Sequence, residues 1–441
     1  MQTAAREIVR RLRGTGHDAY WVGGCVRDFL LQQKPKDYDI ATSARPETVL
    51  ALFPQSRPVG RQFGVVLVSL NRIWFEVATF RSESGYEDGR HPSRVAFGDA
   101  QADARRRDFT INGLFFDPMT GRVFDWVDGQ QDLRDRLIRT IGDPQERFAE
   151  DHLRLLRAIR FAATLNFSLE ADTSNAIRLL APRIRLVSAE RIRDELLRLF
   201  LPPHAARGLD GLRHNGLLDH VLPEVAATIP CEQPPESHPE GTVYQHLLKM
   251  LTVLPANAST VLVWAVLLHD IGKPATASRD PISQSIHFFR HEQVGATLAG
   301  ALLKRLRFPR RRLEEITTCV RMHMQLKDAL QMRKATLRRM LLRPTFPTEL
   351  QLHRLDCLAS HGQLDIYQFL QRESEALRRT PTLRPPLLTG RDLLDMGMQE
   401  GPHLGSLLAE IREKQLQDEL KTAEEARRWV GDRLGATPKS I

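Results

Sequence analysis

The chain has 441 residues, too many for one ordinary hydrophobic core, so roughly two to four domains in a row are expected. Its 42% hydrophobic and 27% charged residues are the composition of a soluble globular protein, and the longest apolar run, Val261 to Leu268, is too short to cross a bilayer. A formal charge of +9 and a pI near 9.6 favour a polyanionic partner, because surface lysine and arginine release counterions from a phosphate backbone on binding. Met1 to Leu12 carries arginines at helical spacing rather than an apolar export signal. Cys25, Cys231, Cys319 and Cys357 are far apart and lack CxxC spacing, so they are expected to be reduced and buried in a cytoplasmic protein.

The first part, to about Thr140, alternates short β-rich runs with short helices. Ala19 to Val22, Tyr38 to Thr42, Val65 to Leu70, Ile73 to Phe80 and Leu114 to Phe116 read as strands of one sheet. From Pro144 onward the periodicity turns helical, as in Asp151 to Leu165 and Ala189 to Phe200. Pro230 to Pro239 reads as a linker or long loop, and Thr380 to Pro386 as a second break. The expected fold class is α+β, an α/β domain with a mixed sheet followed by an all-α remainder.

Val22, Gly23, Gly24, Cys25, Val26, Arg27 and Asp28 sit where a strand turns into a helix, and two glycines there let backbone N–H groups approach a phosphate. Such a pair is equally a plain tight turn. Directly downstream, Asp37 and Asp39 are two apart on a strand and point to the same face. Two carboxylates so placed suit two divalent cations, one activating a 3′-hydroxyl and one neutralising a triphosphate and its leaving pyrophosphate. Glu76 is a candidate third acid: alternation over Ile73 to Phe80 puts Trp74, Glu76 and Ala78 on one face, toward the aspartates or toward solvent.

Five segments together resemble the bacterial class II CCA-adding enzyme and poly(A) polymerase family. They are Val22 to Leu31 with its GG and VRD, Asp37 to Ala41 as DYDIA, Glu76 to Arg81 as EVATFR, Arg106 to Asn112 as RRDFTIN, and Glu150 to Phe161 as EDHLRLLRAIRF. The resemblance implies a nucleotidyltransferase head over 1–141, a helical neck over 142–229, an HD body over 240–380 and a helical tail over 381–441. It also implies addition of C, C and A to the 3′ end of tRNA, with Mg²⁺ as cofactor, CTP and ATP as substrates, and the tRNA 3′ end and acceptor arm as partner. A poly(A) polymerase or an A-only adding enzyme would share every head motif.

In Arg106 to Asn112 the basic residues suit phosphates, while Asp108 and Asn112 suit sugar or base contacts. The resemblance implies that this segment, with Arg107, binds the incoming triphosphate and ribose. Asp151 and Arg154, three apart on a predicted helix, share a face and otherwise read as a surface ion pair. An acceptor beside a fork of donors mimics the pairing edge that cytosine and adenine both recognise. The resemblance assigns base selection to this pair, with Arg157 one turn on in support. Tyr86 to Pro92 resembles the family's flexible loop, whose presence goes with incorporation of A.

His246, His269, Asp270 and Asp356 resemble the H, HD, D signature of HD-domain phosphohydrolases, in YQHLLKML, LLHDIGKP and HRLDCLAS. His291 and His323 fit second-metal or phosphate-contacting positions. The set implies a second divalent metal of unspecified identity and hydrolysis of a phosphomonoester or 2′,3′-cyclic phosphodiester. A rival reading makes this half the main enzyme, with the head as an RNA-binding regulator. Basic clusters at Lys304 to Arg312 and Arg333 to Arg343 suit an RNA backbone, or are plain solvated helix faces.

Overall fold

The structure, a computed structural model, describes residues 1–59, 64–86, 92–379 and 385–435. These form two compact units, Met1–Ala226 and Ala227–Ile441.

Unit 1 opens with an amphipathic helix, α1 (Gln2–Gly14), which buries Ala4, Ala5, Ile8, Val9 and Leu12, the spacing of one helical face. The strands that follow are β1 (Ala19–Val22), β2 (Asp39–Thr42), β3 (Ser56–Pro58), β4 (Val65–Leu70), β5 (Ile73–Thr79), β6 (Arg81–Tyr86), β7 (Pro92–Phe97), β8 (Phe115–Phe116) and β9 (Val123–Phe124). Seven of them form one mixed sheet in the order β3-β4-β5-β2-β1-β8-β9, while β6 and β7 pair as a separate antiparallel hairpin. The register fixes the site. Val22, the last residue of β1, pairs with Asp39 on one side and Phe115 on the other. β2 runs parallel to β5 with Ile40 opposite Val77, which sets Asp39 beside Glu76.

The expected strand edges shift by a residue at Tyr38, Phe80 and Leu114, and the short or polar strands β3, β6, β7 and β9 have no apolar alternation by which to read them. Of the expected flexible loop, Tyr86 and Pro92 end the two hairpin strands, and residues 87–91 lie outside the described residues.

The helices of unit 1 after α1 are α2 (Gly24–Leu30), α3 (Pro46–Leu52), α4 (Ala100–Arg105), α5 (Gly129–Asp135), α6 (Pro144–Glu150), α7 (Arg154–Leu165), α8 (Ala171–Leu180), α9 (Ala189–Leu199), α10 (Ala205–His214), α11 (Leu218–Val221) and α12 (Pro223–Ala226). α7 buries Leu155, Leu156, Ile159 and Phe161 and packs on α9 and α10. The single helix expected over Asp151 to Leu165 is corrected: Asp151 ends α6 in an extended conformation, φ −147°, and α7 begins at Arg154. Asp143 explains the separate helix, since its side chain accepts from the Glu146 N–H and Pro144 takes the first helical position.

Among its described residues unit 2 is helical apart from one hairpin, Ala277–Arg279 with Ile286–Phe288. Its helices are α13 (Val243–Thr252), α14 (Thr260–Leu268), α15 (Lys273–Thr276), α16 (His291–Arg305), α17 (Arg310–Met322), α18 (Lys334–Leu341), α19 (Phe346–Ala359), α20 (Asp365–Arg378), α21 (Gly390–Asp395), α22 (Pro402–Leu416) and α23 (Ala423–Gly435). α14 is buried on every side from Val261 to Leu268, as its uninterrupted apolar run requires, and it packs against α13, α17 and α19. A separate small core of Leu388, Leu393, Ile411, Leu420, Ala426 and Val430 holds α21, α22 and α23 together.

Candidate functional site

The turn from β1 into α2 is made by Gly23 at φ +72°, a backbone region that glycine enters without steric cost. A Cβ there would stand 2.9 Å from Arg107 Nη1, so the absence of a side chain also admits that guanidinium. Around this turn lies an open cleft of about 460 Å³. Of the residues expected at the nucleotide site it collects Gly23, Gly24, Arg27, Asp37, Asp39, Arg107, Asp108, Asn112, Asp151, Arg154 and Arg157. Glu76 is exposed and lies outside that lining, yet it is close enough to act on Asp39 through its charge.

Asp39 opens β2, half-buried, while Asp37 just before it is exposed. Burial, followed by the negative charges of Asp37 and Glu76, pushes the Asp39 carboxyl up to about 6, against the opposing pull of Arg107. Oxygen donors of this kind suit a hard divalent ion, although among the described residues the oxygens of Asp37, Asp39 and Glu76 do not all close to within 4.8 Å of one another as the ligand groups of unit 2 do.

The arginines of the cleft are held by a relay. Arg27 donates to Asn112 Oδ1 at 2.8 Å and to Asp28 at 2.7 Å. Asn112 donates to Asp108 at 3.1 Å, and the other Asp108 oxygen accepts two bonds from Arg157, at 2.9 and 2.6 Å. Burial alone would raise the Asp108 carboxyl, but Arg157 outweighs it and holds the group down at about 2. Arg107 bonds to the buried Asp103 at 3.0 Å and lies over the Phe115 ring.

Asp151 and Arg154 both face the cleft without pairing as one helix face. Asp151 accepts from Arg191 Nη2 at 2.8 Å and from the Leu153 N–H at 3.1 Å, whereas Arg154 donates to Glu150 at 2.5 Å and to the Arg147 carbonyl at 2.9 Å. Each is pinned from behind by a different partner, leaving an acceptor and a donor fork aimed at one space.

Sequence reasoning missed Arg160, Phe161, Arg191 and Glu195. Phe161 is ringed by the guanidiniums of Arg27, Arg157 and Arg160 at 5.3, 5.4 and 4.1 Å from its centroid. Buried Glu195 accepts from Arg160 at 2.6 Å and lies 3.8 Å from Arg157. The signal was present: Arg154, Arg157 and Phe161 fall at helical spacing, and Arg191 and Glu195 lie one turn apart on α9.

Unit 2 brings together His246, His269, Asp270, His291, His323 and Asp356, with all four imidazoles and Asp270 buried. Among the described residues ligand-type atoms converge in three groups, His246, His269 and Asp356, then Asp270, His291 and His323, and also His238, Glu240 and His246, each with its atoms within 4.8 Å of one another. The Nδ1 atoms of His269, His291 and His323 lie 3.0, 2.9 and 2.6 Å from the carbonyls of Val266, Phe288 and Val320. A carbonyl only accepts, so these nitrogens carry protons and the Nε2 side is turned inward. Nε2 of His246 and of His269 are buried and make no well-formed hydrogen bond, although carboxylate oxygens of Asp356 and Asp270 lie 3.1 and 3.2 Å away, and these are the donor atoms a metal would take up. Imidazoles with carboxylates therefore fit a divalent metal at this position.

Close backbone packing assembles the second group. A Cβ on Gly272 would fall 2.1 Å from the His291 carbonyl oxygen, so only glycine lets the segment after Asp270 lie against the start of α16. Lys273, missed in the sequence reading, is buried and reaches Asp270 at 2.7 Å and Gln233 at 2.7 Å. His291 Nε2 lies 3.3 Å from Asp270 and 3.2 Å from His323 Nε2. Pro230 to Pro239 is thus a loop, as expected, but its Gln233 reaches the cluster. Within the basic clusters, exposed Arg310 and Arg311 pair with Glu314 and Glu315 one turn on, while Lys334 and Arg338 pair with Asp418.

Three stretches of the chain match known protein families. Residues 19–139 match the poly A polymerase head domain, 166–229 the probable RNA and SrmB-binding site of polymerase A, and 242–352 the HD domain. The CCA-adding enzyme of Streptococcus gordonii is 43% identical over 222 residues, 50% of this chain and 55% of that protein. That of Geobacillus stearothermophilus is 44% identical over 266 residues, 60% of this chain and 62% of that protein. The sequence matches therefore span little more than half the length of these curated relatives. The crystal structure of the Bacillus stearothermophilus CCA-adding enzyme in complex with CTP superposes with a TM-score of 0.76 at 27% identity, covering 100% of this chain and 99% of that one. With head, RNA-binding and HD regions in this order, the chain is similar in sequence and in fold to the CCA-adding enzyme and poly(A) polymerase family.

Proposed function

We propose that the chain adds C, C and A in turn to the 3′ end of tRNA, drawing on CTP and ATP without a nucleic-acid template. The observation that carries this reading is the single cleft in which the glycine turn, the Asp37 and Asp39 carboxylates, the arginine relay and the Asp151 and Arg154 pair all meet. Support comes also from the relatives, which are CCA-adding enzymes. In this reading the work is done in the cytoplasm, where tRNA and nucleoside triphosphates meet; no helix of the described residues is long and apolar enough to cross a membrane.

In this proposal residues 1–141 do the chemistry and 142–229 select the base and hold the acceptor arm. The tRNA 3′-oxygen attacks the α-phosphorus of the nucleotide, the bond to the bridging oxygen breaks, and pyrophosphate leaves. Asp37, Asp39 and Glu76 would hold Mg²⁺, which when bound lowers the pKa of the 3′-hydroxyl and offsets charge on the triphosphate. Arg27 and Arg107, beside the Gly23 and Gly24 turn, bind the phosphates, and Asp108 with Asn112 meets the ribose. Asp151 accepts from the exocyclic amine of cytosine or adenine, and Arg154 donates to a ring nitrogen, a pattern that uracil and guanine do not offer.

The buried cluster of unit 2 favours a second activity, with 240–380 as a metal-dependent phosphohydrolase trimming phosphates or 2′,3′-cyclic phosphates from RNA ends and 381–441 as a tail. His246, His269, Asp270 and Asp356, with His291 and His323, would hold the metal.

The test is incubation of the purified chain and Mg²⁺ with tRNA lacking its last three nucleotides, with CTP and ATP separately and together, followed by sequencing of the 3′ ends. Termination after C, C and A is expected. Long A tails would make it a poly(A) polymerase, a single A on tRNA ending in CC an A-adding enzyme, and no extension would shift the weight to unit 2.

A further inference from the structure

Three of the four histidines in the unit 2 cluster are oriented by their own chain: His269, His291 and His323 each present Nδ1 to the carbonyl three residues earlier. His246 makes no such bond. It lies inside α13, and its ring turns to an acceptor outside the helix. That acceptor is Glu240, whose Oε1 lies 2.6 Å from His246 Nδ1 and 2.9 Å from His238 Nδ1. The Glu240 side chain is only 5% exposed, and its other oxygen is buried without a hydrogen-bond partner. Sinking a carboxylate with one oxygen unsatisfied is costly, and the bond to His246 gives the burial a physical reason. On its far side His246 turns Nε2 toward Asp356 Oδ1, 3.1 Å away.

We propose that Glu240 is a positioning residue of the unit 2 metal site: it keeps the His246 proton on Nδ1 and so presents Nε2 to the ligand position shared with His269 and Asp356. His238 steadies the same carboxylate from the opposite side. The segment ahead of α13, outside the residues matched by the HD description, is then part of the site rather than a connection to it. This inference rests on the reading that the cluster holds a divalent metal. A carboxylate on the outer nitrogen makes the imidazole a better donor as well as orienting it, and loss of such a partner weakens metal binding by roughly 10- to 100-fold.

The experiment uses the full chain with Asp37→Ala and Asp39→Ala, which removes the carboxylate pair of unit 1, titrated with Co²⁺ and followed by visible absorption. Glu240→Ala is expected to weaken Co²⁺ binding by about 10- to 100-fold. Glu240→Gln, which keeps an acceptor, recovers most of that loss. Binding by Glu240→Ala within about two-fold of the parent would overturn the proposal, as would a Gln variant as weak as the Ala variant. No Co²⁺ binding by the parent would overturn the metal-site reading itself, and this inference with it. If Glu240→Ala does not fold, nitrogen-15 imidazole spectra of the Zn²⁺-loaded parent decide: a His246 proton on Nδ1 supports the assignment, and one on Nε2 sinks it.

Discussion

The two candidate sites solve opposite problems. In unit 1 the cleft is open, Asp37 and Asp39 line it, and its arginines are tied into a relay running from Arg27 through Asn112 and Asp108 to Arg157. In unit 2 the ligand-type atoms are nearly all buried, and each imidazole is anchored at its outer nitrogen. An open site with excess negative charge at one end and guanidiniums at the other is suited to a ligand that arrives carrying both cation and phosphate. A buried set of fixed nitrogens is suited to a metal that stays. The difference is one of preorganisation: unit 2 invests its structure in holding a metal, whereas unit 1 invests it in holding the groups that read a substrate.

The comparison breaks most sharply if the two sites can be disabled separately. Asp39→Ala is expected to lower nucleotide addition by roughly 10³-fold or more, since charge stabilisation by a bound metal is worth several kcal/mol. Co²⁺ binding in unit 2 should be unaffected. Gel-resolved single-turnover extension measures the first and absorption titration the second; a parallel fall in both would mean that the two sites are not independent. The converse variant, Asp270→Asn, removes the carboxylate between Lys273, His269 and His291. It should weaken metal binding in unit 2 by about 100-fold, as should chelation, while leaving CCA addition within about two-fold. A smaller effect is expected at Asp151→Ala, which deletes the acceptor for the exocyclic amine. Discrimination against UTP and GTP should fall by roughly 10- to 100-fold, the worth of one good base contact. Competition between the four triphosphates measures it, and unchanged discrimination would remove Asp151 from base selection.

Much of both sites was legible because their residues come in short segments with fixed spacing. The DYDIA segment puts two carboxylates on one strand end, and HDIGKP places a histidine and an aspartate at the end of a fully apolar helix. What was not legible depends on partners remote in sequence. Asp151 reads as a helical neighbour of Arg154, yet the break between α6 and α7 and the Arg191 side chain, 40 residues on, decide its geometry. Gln233 and Glu240 sit in a proline-rich stretch with no periodicity, and only the folded unit shows them touching Lys273 and His246. Strands such as β6 and β7 carry polar residues on both sides and give no alternation to read. The sheet order, which sets Asp39 beside Glu76, is a tertiary choice that local pattern does not encode.

The smallest expected effect sharpens the contrast most, because it asks what the open site costs the fold. The Asp39 carboxyl is raised to about 6 in the folded chain, above its ordinary value of 3.8. Between those values the folded state binds more protons than the unfolded one, so this group's contribution to stability falls as pH rises from about 4 to about 6 and stays low above that. Asp39→Asn removes the charge. In metal-free buffer at pH 7 the variant is therefore expected to be more stable by ~1 kcal/mol after allowance for partial exposure, a rise of about 2–4 °C in the melting midpoint of unit 1. At pH 4 the two proteins should melt together. Adding Mg²⁺ with CTP should reverse the order, because only the parent gains stability from a ligand held by the carboxylate. A gap independent of pH would mean that the Asp39 charge is not strained in the free protein. The open cleft would then differ from the buried cluster in exposure but not in the cost of awaiting its ligand.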